Sequence, residues 1–307
     1  MSNSPLARVA ALVDEWLLLW VVLAVLVGVA VPSIGALSRL STPILAVMIG
    51  SVSLTLSPER FREVRGRAVL AILLAQTAMP LLGFAIASAL SLSPALTAGF
   101  VVVGAVTPEL VTPTMTELGG GDTALATTAL LLVGLGTLAV VPGATTALLG
   151  ASVTVDAVAI VEQLLLAVVL PMTLAVSLRS RWPERIGAYD DLYPSVSGVM
   201  VVLLVGIVTA SNASLVRGGG VTLLVVAGGA VALNCTGYAL GWTVGARLTR
   251  PERIATALSV GMRDFAVAAA ILVGAGFPPA ATLPAVAFGI VEMATSAGLA
   301  KWFGRAR

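Results

Sequence analysis

The chain has 307 residues, 58% of them hydrophobic and only 10% charged, with 17 basic against 15 acidic residues. With a mean hydropathy of +1.06, that balance lies far outside the soluble range and predicts an all-α integral membrane protein. There is no His and a single Cys, Cys235, which excludes a disulfide framework, a thiolate zinc site and any His-based triad. The basic pI, near 9.1, reads as membrane-face anchoring rather than nucleic-acid binding.

In chain order, ten apolar segments can be drawn, at residues 14–31, 43–57, 68–90, 95–117, 123–149, 156–177, 193–210, 219–246, 253–275 and 279–300. No cleavable signal peptide is expected, since Met1 to Leu12 is short and weakly basic. Basic residues set the orientation. On the N-terminal side of a ten-span path fall Arg8, Arg60, Arg62, Arg65, Arg67, Arg179, Arg181, Arg185, Arg247, Arg250, Arg253, Lys301, Arg305 and Arg307. Only Arg39 and Arg217 fall on the other side. Both termini are therefore expected in the cytoplasm, with the chain in the inner (plasma) membrane. The five Trp residues, Trp16, Trp20, Trp182, Trp242 and Trp302, sit mostly at span ends, as interface anchors do.

Two segments carry interruptions. In the fourth, Thr107 to Thr114 reads TPELVTPT, where two prolines and Glu109 break an apolar run. In the ninth, Arg263 and Asp264 stand side by side, with Gly261 before them and Gly274, Gly276, Pro278 and Pro279 beyond. A charge at the centre of a lone membrane helix costs roughly 2.5–3.5 kcal/mol on insertion scales, so such residues face a bundle interior or a solute pathway. A weak internal repeat links the two regions. Gly83-Phe84-Ala85-Ile86 matches Gly237-Tyr238-Ala239-Leu240, Pro94 pairs with Pro251, and Val103 to Thr107 pairs with Val260 to Asp264. An odd number of spans separates the copies, so the halves, 14–149 and 156–300, are expected to be inverted repeats. Interrupted helices at matching places in inverted repeats point to a secondary-transporter binding site.

Several stretches resemble the bile acid:sodium symporter family. Ser53–Phe61 (SLTLSPERF) is similar to the family's LxLTPEDF turn, and Gln76 to Pro80 (QTAMP) to its Q-x-x-(I/V)-M-P stretch. Thr107-Pro108 with Gly121-Asp122 is similar to the crossover and its exit. Val260 to Asp264, with Ala268-Ala269-Ala270 after it, is similar to E-x-G-x-Q-N…LA, and Phe277-Pro278-Pro279 also fits. The resemblance implies a core of segments three to five and eight to ten, and a panel of segments one, two, six and seven. It also implies substrate binding where segments four and nine cross, between core and panel.

The departures bear on the coupling ion. The family's crossover glycines are Glu109 and Leu110 here, and its Ser-Asn pair falls near Thr112, Pro113 and Thr114. Its sodium-binding hydroxyls in segment five fall on Ala126 and Leu130, its Glu on Ser259 and its Gln on Arg263, while Gln76 is retained. Gln76, Thr112 and Ser259 are thus degenerate sodium positions. A permanently charged guanidinium near the implied ion position suggests a tethered cation, paired with Asp264 or with Glu109. Glu109 is then the candidate proton carrier, because Asp264 adjoins Arg263.

The reading is a secondary active transporter of a small organic solute, an organic anion given Arg263 or a neutral or zwitterionic one if Arg263 is the tethered cation, without a cofactor and with Na+ or H+ as the candidate coupling ion, or uncoupled. Its candidate site comprises Arg263, Asp264, Glu109, Thr107, Pro108, Thr112, Thr114, Gln76, Ser259, Met262 and Glu292. Sodium symport through a rearranged ion site is the alternative. The Ala-, Val-, Leu- and Arg-rich, Lys-poor composition has a bacterial cast and points away from bile acid itself. Blander readings attach to single residues: a structural Arg263–Asp264 ion pair, Glu162 near an interface, and Glu117 and Asp122 in ordinary turn chemistry, while Thr112, Thr114, Thr116, Thr127 and Thr128 either line the cavity as hydrogen-bond donors or satisfy a neighbouring carbonyl. A distant alternative is an intramembrane aspartyl protease, since Gly119 to Asp122 fits Gly-x-Gly-Asp and Tyr189-Asp190 supplies a second acid. Nothing resembles a channel filter, and the expected partners are the solute and the bilayer, with no nucleic acid.

Overall fold

The computed structural model describes residues 10, 12, 13, 15–56, 66–150 and 156–305. The expected start of the first segment at 14, the end of the second at 57, the second half of SLTLSPERF, and Arg8, Arg60, Arg62, Arg65 and Arg307 lie outside them. Among the described residues every regular element is helical, as a backbone in hydrocarbon requires when it forms no closed barrel.

Helix α1 (Leu17–Ala30) leads through a 3-10 stretch, Pro32–Leu40, into α2 (Ser41–Ser53), and α3 spans Gly66–Ala89. Helix α4 (Pro94–Ala105) starts abruptly because Ser93 accepts the Leu96 N–H at 3.5 Å and Pro94 opens the first turn. It stops at Ala105, where Val106 turns extended with ψ 172. Pro108 disfavours helical geometry at Thr107, so the break is written locally. Helix α5 (Thr112–Leu118) resumes the path, and α6 (Thr123–Leu149) is capped by Asp122, which accepts the Leu125 N–H at 2.9 Å.

Helix α7 (Ala157–Arg181) contains a π turn at Leu165–Val169. Pro171 follows closely, and its missing N–H and bulky ring prevent regular bonding to the preceding turn. Next come α8 (Tyr193–Ser211) and α9 (Gly220–Val244). A reciprocal capping box, in which the Thr249 N–H donates to Glu252 at 2.9 Å, opens α10 (Arg250–Gly261). Met262 is extended, Asp264 caps α11 (Phe265–Gly274), and a 3-10 turn, Pro279–Thr282, precedes α12 (Leu283–Arg305). Among the described residues eight stretches are long and apolar enough to cross a membrane, and Leu17–Ala30 and Pro94–Ala105 are shorter apolar helices. The expected ends shift where local chemistry decides: the sixth segment runs on to Arg181 before Pro183, and the tenth begins as a 3-10 turn because of Pro278 and Pro279.

Internal contacts divide the chain into two compact units, Met1–Pro58 with Glu162–Gly219, and Glu59–Val161 with Gly220–Arg307. In the first, the Arg217 guanidinium donates to the Val29 and Ala30 carbonyls at the end of α1, and Thr42 bonds Gln163 at 3.1 Å. The second unit holds both helix breaks.

Close backbone approach dominates this second unit, as expected where dispersion rather than water expulsion drives helix association. A Cβ on Gly104 would lie 2.5 Å from the Met79 carbonyl oxygen and 2.8 Å from the Pro80 Cα. On the other half, a Cβ on Gly261 would lie 2.1 Å from Tyr238 Cδ1. Gly104→Ala is expected to cost about 1–3 kcal/mol or more, because the clashing atoms are backbone and cannot rotate away. Gly136→Ala, where a Cβ meets nothing within 4 Å, should leave the detergent-phase melting temperature unchanged or slightly higher.

Candidate functional site

The two helix breaks meet. The Asp264 N–H donates to the Thr107 carbonyl at 3.0 Å, joining them backbone to backbone. Breaking a helix strands carbonyls at one end and N–H groups at the other, and hydrocarbon offers them nothing. Here side chains take them. Arg263 is fully buried, and its Nε donates to the Val103 carbonyl at 3.4 Å while Nη2 donates to the Gly104 carbonyl. A cation thus sits on the negative end of α4. Asp264, also fully buried, sits on the positive end of α11 and accepts the Val267 N–H at 2.9 Å.

The end of α10 is covered differently. Gln76 of α3 donates to the Ser259 carbonyl at 2.9 Å, and Asn234 of α9 donates to the Gly261 carbonyl at 3.1 Å. Asn234 in turn accepts from the Thr295 hydroxyl at 2.7 Å. The Thr107 hydroxyl donates to the Leu130 carbonyl at 3.2 Å.

Around this scaffold lie buried polar atoms with no hydrogen-bond partner among the described residues. They include Arg263 Nη1, Asp264 Oδ2, Glu109 Oε2 and Glu292 Oε1. Gln76 Oε1 and the hydroxyls of Thr112, Thr116 and Ser259 are in the same position. Each such atom ordinarily costs about 1–3 kcal/mol, so a concentration of them makes this the candidate site of the chain. Glu109, Asp264 and Glu292 are close enough to act on one another electrostatically.

The expected pairing of Arg263 with Asp264 or Glu109 does not form; among the described residues Arg263 is in no ion pair. The reason is the break itself: Asp264 turns forward to cap α11 while Arg263 reaches the end of the other broken helix. Pro108 and Met262 are buried, whereas Thr114 is exposed and stands apart from the buried group. Thr127 and Thr128 donate to the Thr123 and Ala124 carbonyls of their own helix, each at 2.8 Å. Glu162 and Glu117 are exposed. Asp122 serves as a helix cap, and Asp190 is held by Arg179 at 2.5 and 2.9 Å, so both acids of the protease reading are engaged structurally.

A model of the sodium bile acid symporter family matches residues 42–218, more than half of the chain. The chain belongs to that family. A Bacillus subtilis relative described as an uncharacterized sodium-dependent transporter, YocS, is 24% identical over 293 residues, covering 94% of this chain and 90% of the relative. The symporter-family chain is accordingly a membrane transporter and not an enzyme. Its fit to a sodium ion is poor at α4, because the Val103 and Gly104 carbonyls that could ligate a cation already receive the Arg263 guanidinium. No group of three or more acidic or thiol side chains converges as a metal site among the described residues.

Two residues outside the sequence-derived candidate set also reach the junction: Asn234, which bonds the Gly261 carbonyl, and Thr295, which donates to Asn234. Asn234 had a readable signal, a lone amide inside the apolar run GGAVALNCTGYAL, which in a membrane span is expected to be engaged or functional.

Proposed function

We propose that the protein is a secondary active transporter of ten spans in two inverted repeats, moving a small carboxylate-bearing solute by alternating access. The observation that carries this reading is the backbone junction of the two broken helices, Asp264 to Thr107 at 3.0 Å, surrounded by buried ionisable groups. The repeat is supported by equivalent packing: Gly83 and Gly104 bring α3 against α4, and Gly237 and Gly261 bring α9 against α10. The division of the chain into two units supports a core and a panel as the moving bodies. The asymmetry of the basic residues supports cytoplasmic termini in a plasma membrane.

Arg263 takes the place of a coupling cation at α4. Its Nη1, buried and unpartnered, keeps N–H groups for a carboxylate oxygen of the solute. Glu109 and Glu292 carry the exchangeable proton, since both are buried near Asp264, each has a carboxylate oxygen without a partner, and none of the three is ion-paired among the described residues. In proteoliposomes, an inward proton gradient is expected to drive accumulation of one or more members of a panel of 2-oxo and 2-hydroxy monocarboxylates. An inward sodium gradient of equal size should not. Sodium-driven uptake without a proton effect would establish the rearranged sodium symporter instead, and uptake of cholate alone would overturn the small-solute assignment.

A further inference from the structure

Away from the helix breaks, the described basic residues at the N-terminal end of α10 form a corner with the ends of α9 and α12. Arg253 lies over the Trp242 ring, 3.8 Å from its centroid, and its Nε donates to the Trp242 carbonyl at 2.9 Å. Arg250 donates to the Phe303 carbonyl at 3.0 Å, and Trp242 stacks on Phe303 with centroids 5.2 Å apart. Two guanidinium forks are thereby held in place, Arg253 over the Trp242 ring and Arg250 by the Phe303 carbonyl. Each spends one N–H group on a carbonyl and has others to offer. Arg247, Lys301 and Arg305 are exposed around them, with Lys301 and Arg305 one helical turn apart on α12.

None of these five cations is in an ion pair among the described residues. Three acids lie near this corner: Glu252 is buried and turned to the Thr249 N–H and hydroxyl, Asp122 caps α6 while its N–H donates to the Pro251 carbonyl at 3.0 Å, and Glu117 is exposed on the adjoining turn. Trp302, 62% exposed beside them, is the residue type that sits at the headgroup level of a bilayer. Five cations against three acids, with Arg253 backed by Trp242, leave a net positive corner at a span end that matches the chemistry of a lipid phosphodiester.

We propose that this corner is a binding site for the headgroup of an anionic phospholipid, with Arg250 and Arg253 gripping the phosphate and Arg247, Lys301 and Arg305 supplying the surrounding field. Both gripping residues belong to α10, the helix whose other end, Gly261, lies at the candidate transport site. A bound lipid would therefore steady one of the two broken helices, independently of which solute or ion is carried.

The test uses the full chain in neutral detergent, titrated with dioleoylphosphatidylglycerol or dioleoylphosphatidylcholine at matched ionic strength, and read by native mass spectrometry and melting temperature. Phosphatidylglycerol is expected to give a discrete bound species and a higher melting temperature; phosphatidylcholine is not. Each cation near an anionic headgroup is worth about a fivefold change in affinity, so the triple variant R247Q/K301Q/R305Q should bind about 100-fold more weakly. These residues are exposed and bond to nothing else described, so the variant should fold. R39Q should bind like the parent. Equal binding of both lipids, retention of the effect in the triple variant, or reproduction of the shift by millimolar inorganic phosphate alone would each overturn the proposal.

Discussion

Arg263→Gln is expected to turn a protein whose melting temperature is indifferent to sodium into one that sodium stabilises. In the parent, the guanidinium donates to the Val103 and Gly104 carbonyls at the end of α4. A cation in that position completes the helix dipole and occupies oxygens that an ion would need. Replacing it with a shorter, neutral amide removes charge-assisted hydrogen bonds worth about 1.5–3 kcal/mol each. The variant should therefore melt well below the parent in choline chloride. Sodium at 100 times its dissociation constant would restore about 2.7 kcal/mol, so the variant should melt higher in sodium than in potassium or choline at matched ionic strength. If the parent itself melts higher in sodium, a working ion site coexists with Arg263, and the tethered-cation reading is wrong. If the variant shows no sodium response, the guanidinium is a helix cap and nothing more.

For Glu109→Gln, stability and transport should move in opposite directions. Glu109 is 6% exposed, and its Oε2 has no partner among the described residues. It shares its surroundings electrostatically with Asp264 and Glu292. A structural carboxylate in such a place would normally be hydrogen-bonded, because leaving a buried polar atom unmatched costs about 1–3 kcal/mol. Substituting an uncharged isostere relieves like-charge repulsion as well, so the melting temperature is expected to rise. Proton-driven accumulation should fall to background, while exchange of internal for external solute persists, because exchange needs the solute site and not net proton movement. A variant that melts lower than the parent, or that still concentrates solute, would show Glu109 to be part of the scaffold.

The two breaks differ in how far they could be read in advance. The first is local: Pro108 excludes helical geometry at Thr107, and Pro113 sits in the opening turn of α5. Nothing comparable lies between Gly261 and Phe265, where the chain contains no proline. In the sequence that break is signalled only by Gly261 and by the more distant Gly274, Gly276, Pro278 and Pro279 around the charged pair. It is held by long-range bonds instead, from Asn234 to Gly261 and from the Asp264 N–H to Thr107. Thr114 shows the limit of linear spacing, since it shares the interrupted stretch with Thr112 yet is exposed, while Thr112 is buried.

By itself the sequence determined the class of protein. Its composition could only be solvated by lipid, prolines and caps set many helix starts, and the charges misplaced in apolar segments marked the candidate functional region. Only the tertiary structure decided which groups those charges meet. Arg263 and Asp264 are adjacent in sequence, and adjacency suggested an ion pair. Each instead satisfies a stranded helix terminus, Arg263 that of α4 and Asp264 that of α11. The physical reason is that a broken helix in hydrocarbon exposes backbone groups that must be paired. Which side chain reaches them depends on how the helices cross, and no local pattern encodes that.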